Sequence, residues 1–475
     1  MKYIAIIGLG ALMVCGACSD TLEEKPQAIA VETFYNNANE IESGVNAIYA
    51  PLRSCFRDQY PCMLEESSDY IYGGLGSWEP PSKYQGLNST NQSRVSGAWG
   101  SLYQAIRNAN IMIAAIPNAK NASEADQQKY MGESRFLRAL AYFHLVRNWG
   151  AVPLRTENNV DEIEIDRSPE SAIYELITSD LEYAVSALPT TASVAGRATV
   201  GAAKLLLADV NFYLNNYEKA AQLAKEVMQS KQYSLVEVSK WEDFDNLFGA
   251  NIVTTPEEVF YLKYHEQDGF WFAVYCHGGN IAGEYIIPAG YNVLISRTDY
   301  CTYQQQNDND LRKSLWYEYE GGLCGPGTLL IRKYIDREGL GPRNSYPLYR
   351  YADCLLLFAE ASCRTAGLNA EALEALNQVH RRAYGYPSTQ PSPVDFKLGD
   401  FSKESFIEQC IEERGYETVG EAKRWMDLKR LGKDEAKRYV KLHRGMDIAE
   451  SHWLWPIPTS ELNFNKAITT QNPGY

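Results

Sequence analysis

The sequence is poor in the residues and motifs that carry covalent chemistry. It contains only six histidines, and no two of them have the i, i+4 spacing of a zinc-binding helix. No Gly-x-Ser-x-Gly nucleophile elbow, phosphate-binding Walker loop or dinucleotide-binding glycine fingerprint occurs. We therefore expect a protein that is not an enzyme and that needs no metal ion or other cofactor.

Positive charge is also in deficit. Lys and Arg number 45 against 60 Asp and Glu, which gives a formal net charge of −15. Such an excess repels nucleic-acid phosphates and anionic lipid surfaces, so it excludes nucleic acid as a partner and favours neutral ligands. The composition is otherwise that of a globular protein, and 475 residues allow about two to four domains or one large body.

Only one long apolar run is present, and it lies at the N-terminus. Residues Ile4 to Ala17 follow a basic start and end in small residues before Cys18. Because about 20 apolar residues are needed to span a bilayer, residues 1–17 are predicted to be a secretory signal peptide. Cys18-Ser19-Asp20 resembles the start of a mature bacterial lipoprotein, which implies acylation of Cys18 and attachment to a membrane. Two alternatives stay open: acylation of Cys15, and ordinary secretion with a free Cys18.

Eight further cysteines show no metal-binding pattern. They form no Cys-x-x-Cys pair and no Cys/His cluster at zinc spacing. Cys354 and Cys363 lie in one helical pattern about 13 Å apart, too far to form a disulfide, so we expect both to be core thiols. Whether the eight cysteines form disulfides stays open, because an exported chain can be oxidised. The eight are Cys55, Cys62, Cys276, Cys301, Cys324, Cys354, Cys363 and Cys410.

Hydrophobic periodicity predicts a largely helical chain. Apolar residues recur at helical spacing from Ala98 to Ile116, from Ala125 to Trp149 and from Pro169 to Leu188. Residues 202–228 read as a pair of helices with small residues at close-contact positions, which is typical of a tetratricopeptide unit. A second pair is predicted at 350–383, with Gly367 between its two helices.

Two stretches lack helical periodicity and are rich in Gly, Asn, Asp, Tyr and Trp. They are residues 57–97 and 236–349, and they are predicted to form irregular loops and short strands. The fold class is therefore mostly α: a tetratricopeptide-like helix-pair scaffold, mainly 98–235 and 350–475, with large irregular loop regions and short strands. Long loops on a rigid body are where binding residues tend to lie.

Four blocks of sequence point together to a known family. They are Cys18-Ser19-Asp20 with Leu22 and Pro26; Glu133 to Ala139 with Tyr142-Phe143 and Trp149 to Leu154; Glu413-Arg414 with Glu417, Glu421 and Arg424 to Arg430; and Trp455 to Pro458 with Glu461-Leu462 and Gln471 to Tyr475. In this combination the chain resembles the SusD/RagB outer-membrane lipoproteins of nutrient uptake in Bacteroidetes. The third block departs from the pattern at Gly420, where the family usually has an aromatic residue, and at Ala422, where it usually has glycine.

The resemblance implies a single SusD-like body over residues 18–475, anchored at the cell surface through Cys18. It implies that loop residues capture an oligosaccharide or polysaccharide and that the protein delivers this ligand to a SusC-like TonB-dependent transporter in the outer membrane. It also implies that the tetratricopeptide-like side of the protein faces the transporter. An alternative ligand class is peptides or another non-glycan nutrient.

Sugar recognition requires flat apolar surface for the ring face and polar groups for the hydroxyls. The two loop-rich stretches contain both types, and we expect some of them to converge in one site. The ligand-binding candidates are Asp69, Tyr72, Trp78, Tyr84, Trp271, Tyr275 and Tyr291, with Asn280 and Tyr285 in the same second stretch.

Carboxylates in the third block have a structural interpretation. Hydrolysis of a glycosidic bond needs two carboxyl groups that flank it, a role conceivable for Glu412, Glu413 and Glu417. They lie in a Glu/Arg-rich helical pattern, however, which predicts an ion network on a helix surface. Arg135 and Arg138 are likewise predicted to tie helices together.

Overall fold

The computed structural model describes residues 34–74, 76–277, 293–319, 325–336 and 342–475. The predicted signal peptide, the acylation site Cys18 and the candidates Asn280, Tyr285 and Tyr291 lie outside these ranges.

Helices make up most of the described chain, as the periodicity predicts. In chain order they are α1 Ala38–Phe56, α2 Gln59–Glu66, α3 Ser89–Ala115, α4 Glu124–Trp149, α5 Glu170–Ala187, α6 Val200–Tyr213, α7 Tyr217–Gln229, α8 Asp245–Phe248, α9 Phe272–Cys276, α10 Cys301–Gln305, α11 Tyr351–Ala366, α12 Ala370–Ala383, α13 Lys403–Thr418, α14 Arg424–Arg430, α15 Lys433–Arg444, α16 Glu450–Trp453 and α17 Thr459–Phe464. Within the described ranges, no helix combines the length and apolar character that crossing a membrane requires.

The two predicted helix pairs are confirmed as α6 with α7 and α11 with α12. Helix α11 ends at Gly367, whose φ of 78° is a conformation that glycine adopts without steric cost. The two pairs pack directly on each other, because α7 lies against α11. Small residues allow this close approach: Cys354 on α11 donates its thiol to the carbonyl of Ala224 on α7, with an S–O distance of 3.4 Å. Both Cys354 and Cys363 are buried, as predicted for core thiols.

Short strands occupy the loop-rich regions. They are β1 Tyr72–Gly73, β2 Val152–Pro153, β3 Arg167–Ser168, β4 Glu258–Leu262, β5 Leu294–Arg297, β6 Trp316–Glu318, β7 Thr328–Ile331 and β8 Tyr346–Arg350. They pair as one four-stranded sheet in the order β1-β5-β7-β6 and two antiparallel ladders, β2 with β3 and β4 with β8. The stretch 57–97 also contains the helix α2, which its composition did not predict.

The C-terminal segment closes the core over α4. The Trp149 and Trp455 rings lie 5.1 Å apart at an interplanar angle of 84°, an edge-to-face contact. The Trp149 indole N–H donates to the carbonyl of Pro456 at 3.0 Å. Two of the sequence blocks that carry the family resemblance therefore meet in one buried aromatic cluster.

The carboxylates of the third block form a buried network. The expectation of a helix-surface network was wrong for Glu413 and Glu417, whose side chains are only 2% and 1% exposed. Arg350 donates from Nη1 to Glu417 at 2.6 Å and to Glu257 at 2.7 Å. Nearby cations balance the acids, which makes the burial of these carboxylates possible. The members are Glu257, Asp310, Arg312, Lys333, Arg350, Arg382, Glu413, Glu417 and Glu421.

The predicted role of Arg135 and Arg138 is confirmed. Arg138 on α4 forms a two-pronged ion pair with Asp180 on α5, with distances of 2.7 Å from Nε and 2.9 Å from Nη2. Arg135 lies 3.7 Å from the same carboxylate. These contacts fix α4 against α5.

Candidate functional site

Pairing of β1 with β5 joins the two loop-rich stretches into one surface. Tyr72 is opposite Ile295 and Gly73 is opposite Leu294, although the paired segments are far apart in the chain. The backbone N–H of Gly74 extends the ladder by donating to the carbonyl of Val293 at 2.7 Å. Aromatic candidates from both stretches are thereby brought together.

Two of the candidates are in ring contact, and a third lies one helical turn away from one of them. Trp271 and Tyr275 lie four positions apart at α9, a spacing that places both side chains on one helix face. The Tyr275 ring then contacts the Trp78 ring, with centroids 5.1 Å apart and an interplanar angle of 54°. Trp271 is the most accessible of the three, with 41% of its surface exposed. We call Trp271, Tyr275 and Trp78 the aromatic series.

Trp78 is held between neighbours and is only partly accessible. The Arg94 guanidinium lies over its ring at 3.4 Å from the centroid, a cation–π contact. Arg94 is fixed there because it donates to the carbonyl and the hydroxyl of Ser77, both at 2.9 Å. One ring face of Trp78 is therefore covered, which leaves Trp271 as the main open ring for stacking.

Gly73 lets the Trp78 segment approach β1. A Cβ atom added at Gly73 would lie 2.0 Å from the carbonyl oxygen of Trp78, a distance at which the backbone must move. The same position lies 3.0 Å from an oxygen of Glu66, a fully buried carboxylate. The absence of a side chain at residue 73 thus sets the position of Trp78.

Two predicted ligand-binding residues are interior. Asp69 is 0% exposed and pairs with Arg424 and His443, so no polar atom of it remains for a ligand. Tyr84 is also 0% exposed and donates its hydroxyl to the carbonyl of Ser68 at 2.6 Å. Both predictions were wrong, because a Gly- and Tyr-rich stretch does not show which of its polar groups find partners elsewhere in the chain.

Tyr72 is half-buried beside residues that are absent from the predicted set. Its ring lies 5.7 Å from the Tyr300 ring, and the Arg444 guanidinium lies 5.1 Å from it. Arg444 is the last residue of α15, and Tyr300 directly precedes α10. No local sequence signal marks either residue, since only the tertiary fold brings α15 to β1. Tyr291, the remaining candidate, is outside the described residues.

A narrow crevice in the helical body has different chemistry. It is lined by charged groups that satisfy one another: Arg414 donates to Asp427 at 2.8 Å, and Arg147 lies 3.9 Å from Asp209. Among the residues described, no group of three or more His, Cys, Asp or Glu is arranged to hold a metal ion. The loop surface, which is the surface that the two loop-rich stretches form around β1 and β5, offers open aromatic area at Trp271 and is the better candidate for binding.

Known proteins share both the sequence and the fold. The model of the SusD family matches residues 196–475, and a model described as starch-binding associating with outer membrane matches residues 22–214. SusD-like protein P2 of Formosa agariphila is 28% identical, with 100% of each chain covered. SusD-like protein P38 of the same organism is 28% identical, with 91% of each chain covered.

Solved structures agree on the architecture. A SusD homolog from Bacteroides thetaiotaomicron has a TM-score of 0.77 at 23% identity, covering 94% of this chain and 98% of that one. Surface glycan-binding protein A from the same species, in complex with laminarihexaose, has a TM-score of 0.72 at 23% identity, covering 92% and 99%. These similarities confirm the tetratricopeptide-like helical fold. Because the family model spans more than half of the sequence, this chain belongs to the SusD family.

Proposed function

We propose that this protein is a cell-surface lipoprotein that captures oligosaccharides and delivers them to a SusC-like TonB-dependent transporter without cleaving them. The observation that carries the proposal is the aromatic series, which the β1–β5 pairing places on a surface built from both loop-rich stretches. Exposed Trp271 offers the flat apolar face that a sugar ring requires. Family membership and the laminarihexaose complex of a protein with the same fold support this class of ligand.

Attachment to the outer membrane is part of the same proposal. Cys18 follows the apolar run directly, and acylation there would anchor the body at residues 18–475. The description of the second family model, which refers to association with the outer membrane, supports this location. Replacement of Cys18 by serine is expected to abolish incorporation of labelled palmitate and to release the protein from the membrane fraction. Retention of the label by the C18S variant would contradict the assignment of the acylated cysteine.

A glycan array probed with the mature chain tests the ligand class. We expect binding to at least one oligosaccharide and no release of shorter products. Trp271→Ala should weaken that binding by about tenfold or more, since a stacked aromatic ring contributes on the order of 1 kcal/mol beyond its buried area. Phe464→Ala is a suitable control, because Phe464 is 71% exposed on α17, outside both loop-rich stretches.

Three outcomes would contradict the proposal. Binding of a peptide library in place of any glycan would favour the alternative nutrient class. Turnover of a polysaccharide by the purified protein would make it an enzyme. Equal affinities of the Trp271→Ala and Phe464→Ala variants would show that the ligand binds away from the aromatic series.

A further inference from the structure

Among the residues that the structure describes, Arg444 has no acidic partner, although the chain has a net charge of −15. Within the described ranges, no carboxylate oxygen lies within 4.0 Å of its guanidinium, whereas Arg297 nearby pairs with Asp299 at 2.9 Å. Burial of a charge is normally offset by an opposite charge or by hydrogen bonds. Arg444 is half-buried, so its lack of an acid requires an explanation.

Aromatic rings and one backbone carbonyl hold the Arg444 side chain in place. Its guanidinium carbon lies 4.9 Å from the Tyr300 ring centroid, 5.1 Å from that of Tyr72 and 6.0 Å from that of Tyr84. Nη1 donates to the carbonyl of Ile71 at 3.1 Å. The remaining Nε and Nη2 donors have no acceptor among the described residues, so an immobilised cation presents free N–H groups beside β1.

Gly73, the residue next to Tyr72 on β1, faces the other side of the strand. Successive residues of a strand face opposite sides, and at Gly73 the Trp78 segment occupies that other side. There Arg94 lies on Trp78 and is likewise without a carboxylate within 4.0 Å in the described part of the chain. Two arginines with no carboxylate within 4.0 Å in the described part of the chain, each held against aromatic rings, therefore flank β1, although Arg94 is close enough to Glu66 to lower the pKa of that carboxyl group.

We propose that the loop surface binds an acidic oligosaccharide and that Arg444 receives its anionic substituent, a uronic-acid carboxylate or a sulfate ester. This inference rests on the proposed function, since it adds a subsite for the anionic substituent on the Tyr72 side of β1 to the aromatic series on the Trp78 side. A guanidinium matches the planar geometry of a carboxylate and donates two parallel hydrogen bonds to it or to sulfate. The Tyr72 and Tyr300 rings beside Arg444 supply apolar surface for the sugar that carries the acid.

The net charge of the whole chain does not oppose this ligand. Screening in salt limits the reach of surface charges to about 10 Å, so the groups next to the ligand decide its binding. Some of the acids are neutralised by arginines in the buried network around Glu417. The expectation of a neutral ligand follows from total charge alone and does not include the local charge at Arg444.

Binding measurements with three probes test the inference. The probes are a polyuronide oligosaccharide, a sulfated neutral oligosaccharide and uncharged laminarihexaose, each titrated calorimetrically against the mature chain. We expect one of the two acidic probes to bind at least about tenfold more tightly than laminarihexaose, and to lose most of that advantage at about 1 M salt. The acidic probe that binds identifies the substituent as carboxylate or sulfate.

Variants then assign the effect to Arg444. Arg444→Gln should remove the preference for the acidic probe, while Arg444→Lys should keep part of it, because lysine retains the charge and loses the two-pronged geometry. Arg438→Gln is the matched control: it removes one charge from the same helix, at a side chain that is 43% exposed and paired with Glu435. Thermal unfolding of each variant shows whether the fold is intact, and Arg444→Lys remains informative if Arg444→Gln does not fold.

The outcomes separate this inference from the proposed function. Binding of laminarihexaose at equal or higher affinity than both acidic probes, unchanged by Arg444→Gln, would overturn the inference and leave glycan capture standing. Failure of the mature chain to bind any glycan would overturn the proposed function itself, and the inference with it.

Discussion

Arg424 and Asp69 form a buried, two-pronged ion pair although they are 355 positions apart in the sequence. Nε lies 2.7 Å from one carboxylate oxygen of Asp69 and Nη2 lies 2.8 Å from the other. Burial alone would raise the pKa of Asp69, but Arg424 and then His443 outweigh it and hold the pKa well below its usual value. The pair fastens the segment before β1 to α14 and so supports the loop surface from beneath.

Removal of this carboxylate should be strongly destabilising. Asp69→Ala leaves the Arg424 charge buried and unpaired, a change that costs about 3–5 kcal/mol in comparable sites. We expect the variant to unfold at much lower urea concentration, as measured by tryptophan fluorescence. Asp299→Ala removes an acid that is 63% exposed and paired with Arg297, so it should change stability by less than about 1 kcal/mol. Similar unfolding midpoints for the two variants would contradict the buried role of Asp69.

The buried network makes the fold sensitive to acid. Burial raises the pKa of Glu413 and of Glu417, but neighbouring cations outweigh it and lower both pKa values from 4.5 to about 2. At Glu413 these neighbours are Arg312 and His380. At Glu417 they are Arg382, Arg350 and Arg312. As the pH falls, these two carboxylates are therefore protonated in the unfolded chain before they are protonated in the folded protein. The stability that they contribute above about pH 4.5 is lost as the pH falls toward about 2. Each group contributes a slope of about 1.4 kcal/mol per pH unit in that window.

Urea unfolding across this pH range measures the slope. Glu417→Gln should lower stability at neutral pH and reduce the slope between about pH 4.5 and about pH 2. Glu371→Gln is the control, because Glu371 is 65% exposed and pairs with Lys225 on the surface. A Glu417→Gln variant with an unchanged pH dependence would show that this carboxylate does not carry the acid sensitivity.

Local sequence was sufficient to predict the helix pairs. The boundaries of α6 with α7 and of α11 with α12 depend on apolar periodicity, on a turn and on a capping glycine, all of which lie within a few residues of each helix. Local sequence alone gave a wrong prediction for Glu413 and Glu417, which were expected on a helix surface. A Glu/Arg-rich helix looks solvent-exposed in sequence, and the compensating Arg312, Arg350 and Arg382 come from other segments.

The candidate surface was predictable only in part. Trp271 and Tyr275 are visible in sequence as aromatic residues one helical turn apart in a loop-rich stretch, and Trp78 as an aromatic residue beside Gly and Pro. The pairing of β1 with β5 spans more than two hundred residues and involves only two positions of β1, too short a pattern to recognise. For the same reason nothing local distinguishes Arg444 from the other cations of α15.

Glu66 should produce a pH dependence of the opposite sign. Its side chain is fully buried and accepts no hydrogen bond within the described residues, so burial raises its pKa well above 4.5, against a smaller lowering effect of Arg94. The unfolded state then loses its proton first as the pH rises above about 4.5, and the free energy of unfolding falls with rising pH until the folded pKa is reached.

Glu66→Gln removes this titration while it keeps the shape of the side chain. We expect the gain in melting temperature over the native protein to be small near pH 4.5 and to increase as the pH rises above that value. Glu79→Gln, at a carboxylate that is 50% exposed, should show no such trend. A constant difference between the Glu66→Gln variant and the native protein at all pH values would mean that Glu66 is ionised in the fold.

Gly73→Ala tests how the aromatic series is positioned. The added methyl group would lie 2.0 Å from the carbonyl oxygen of Trp78, so the Trp78 backbone must shift away from Gly73 and its ring contact with Tyr275 is disturbed. Overpacking of this kind costs about 1–3 kcal/mol, and the displaced ring should weaken ligand binding as well.

Gly97→Ala is the matched control, because nothing lies within 4 Å of the added methyl and the residue is inside α3, where alanine is favoured over glycine by about 1 kcal/mol. Differential scanning calorimetry and glycan titration should therefore separate the two variants, with Gly97→Ala at least as stable as the native protein and unchanged in affinity. If Gly73→Ala bound ligand with native affinity, the ring of Trp78 would have no part in the site, and Trp271 with Tyr275 would have to bind the sugar alone.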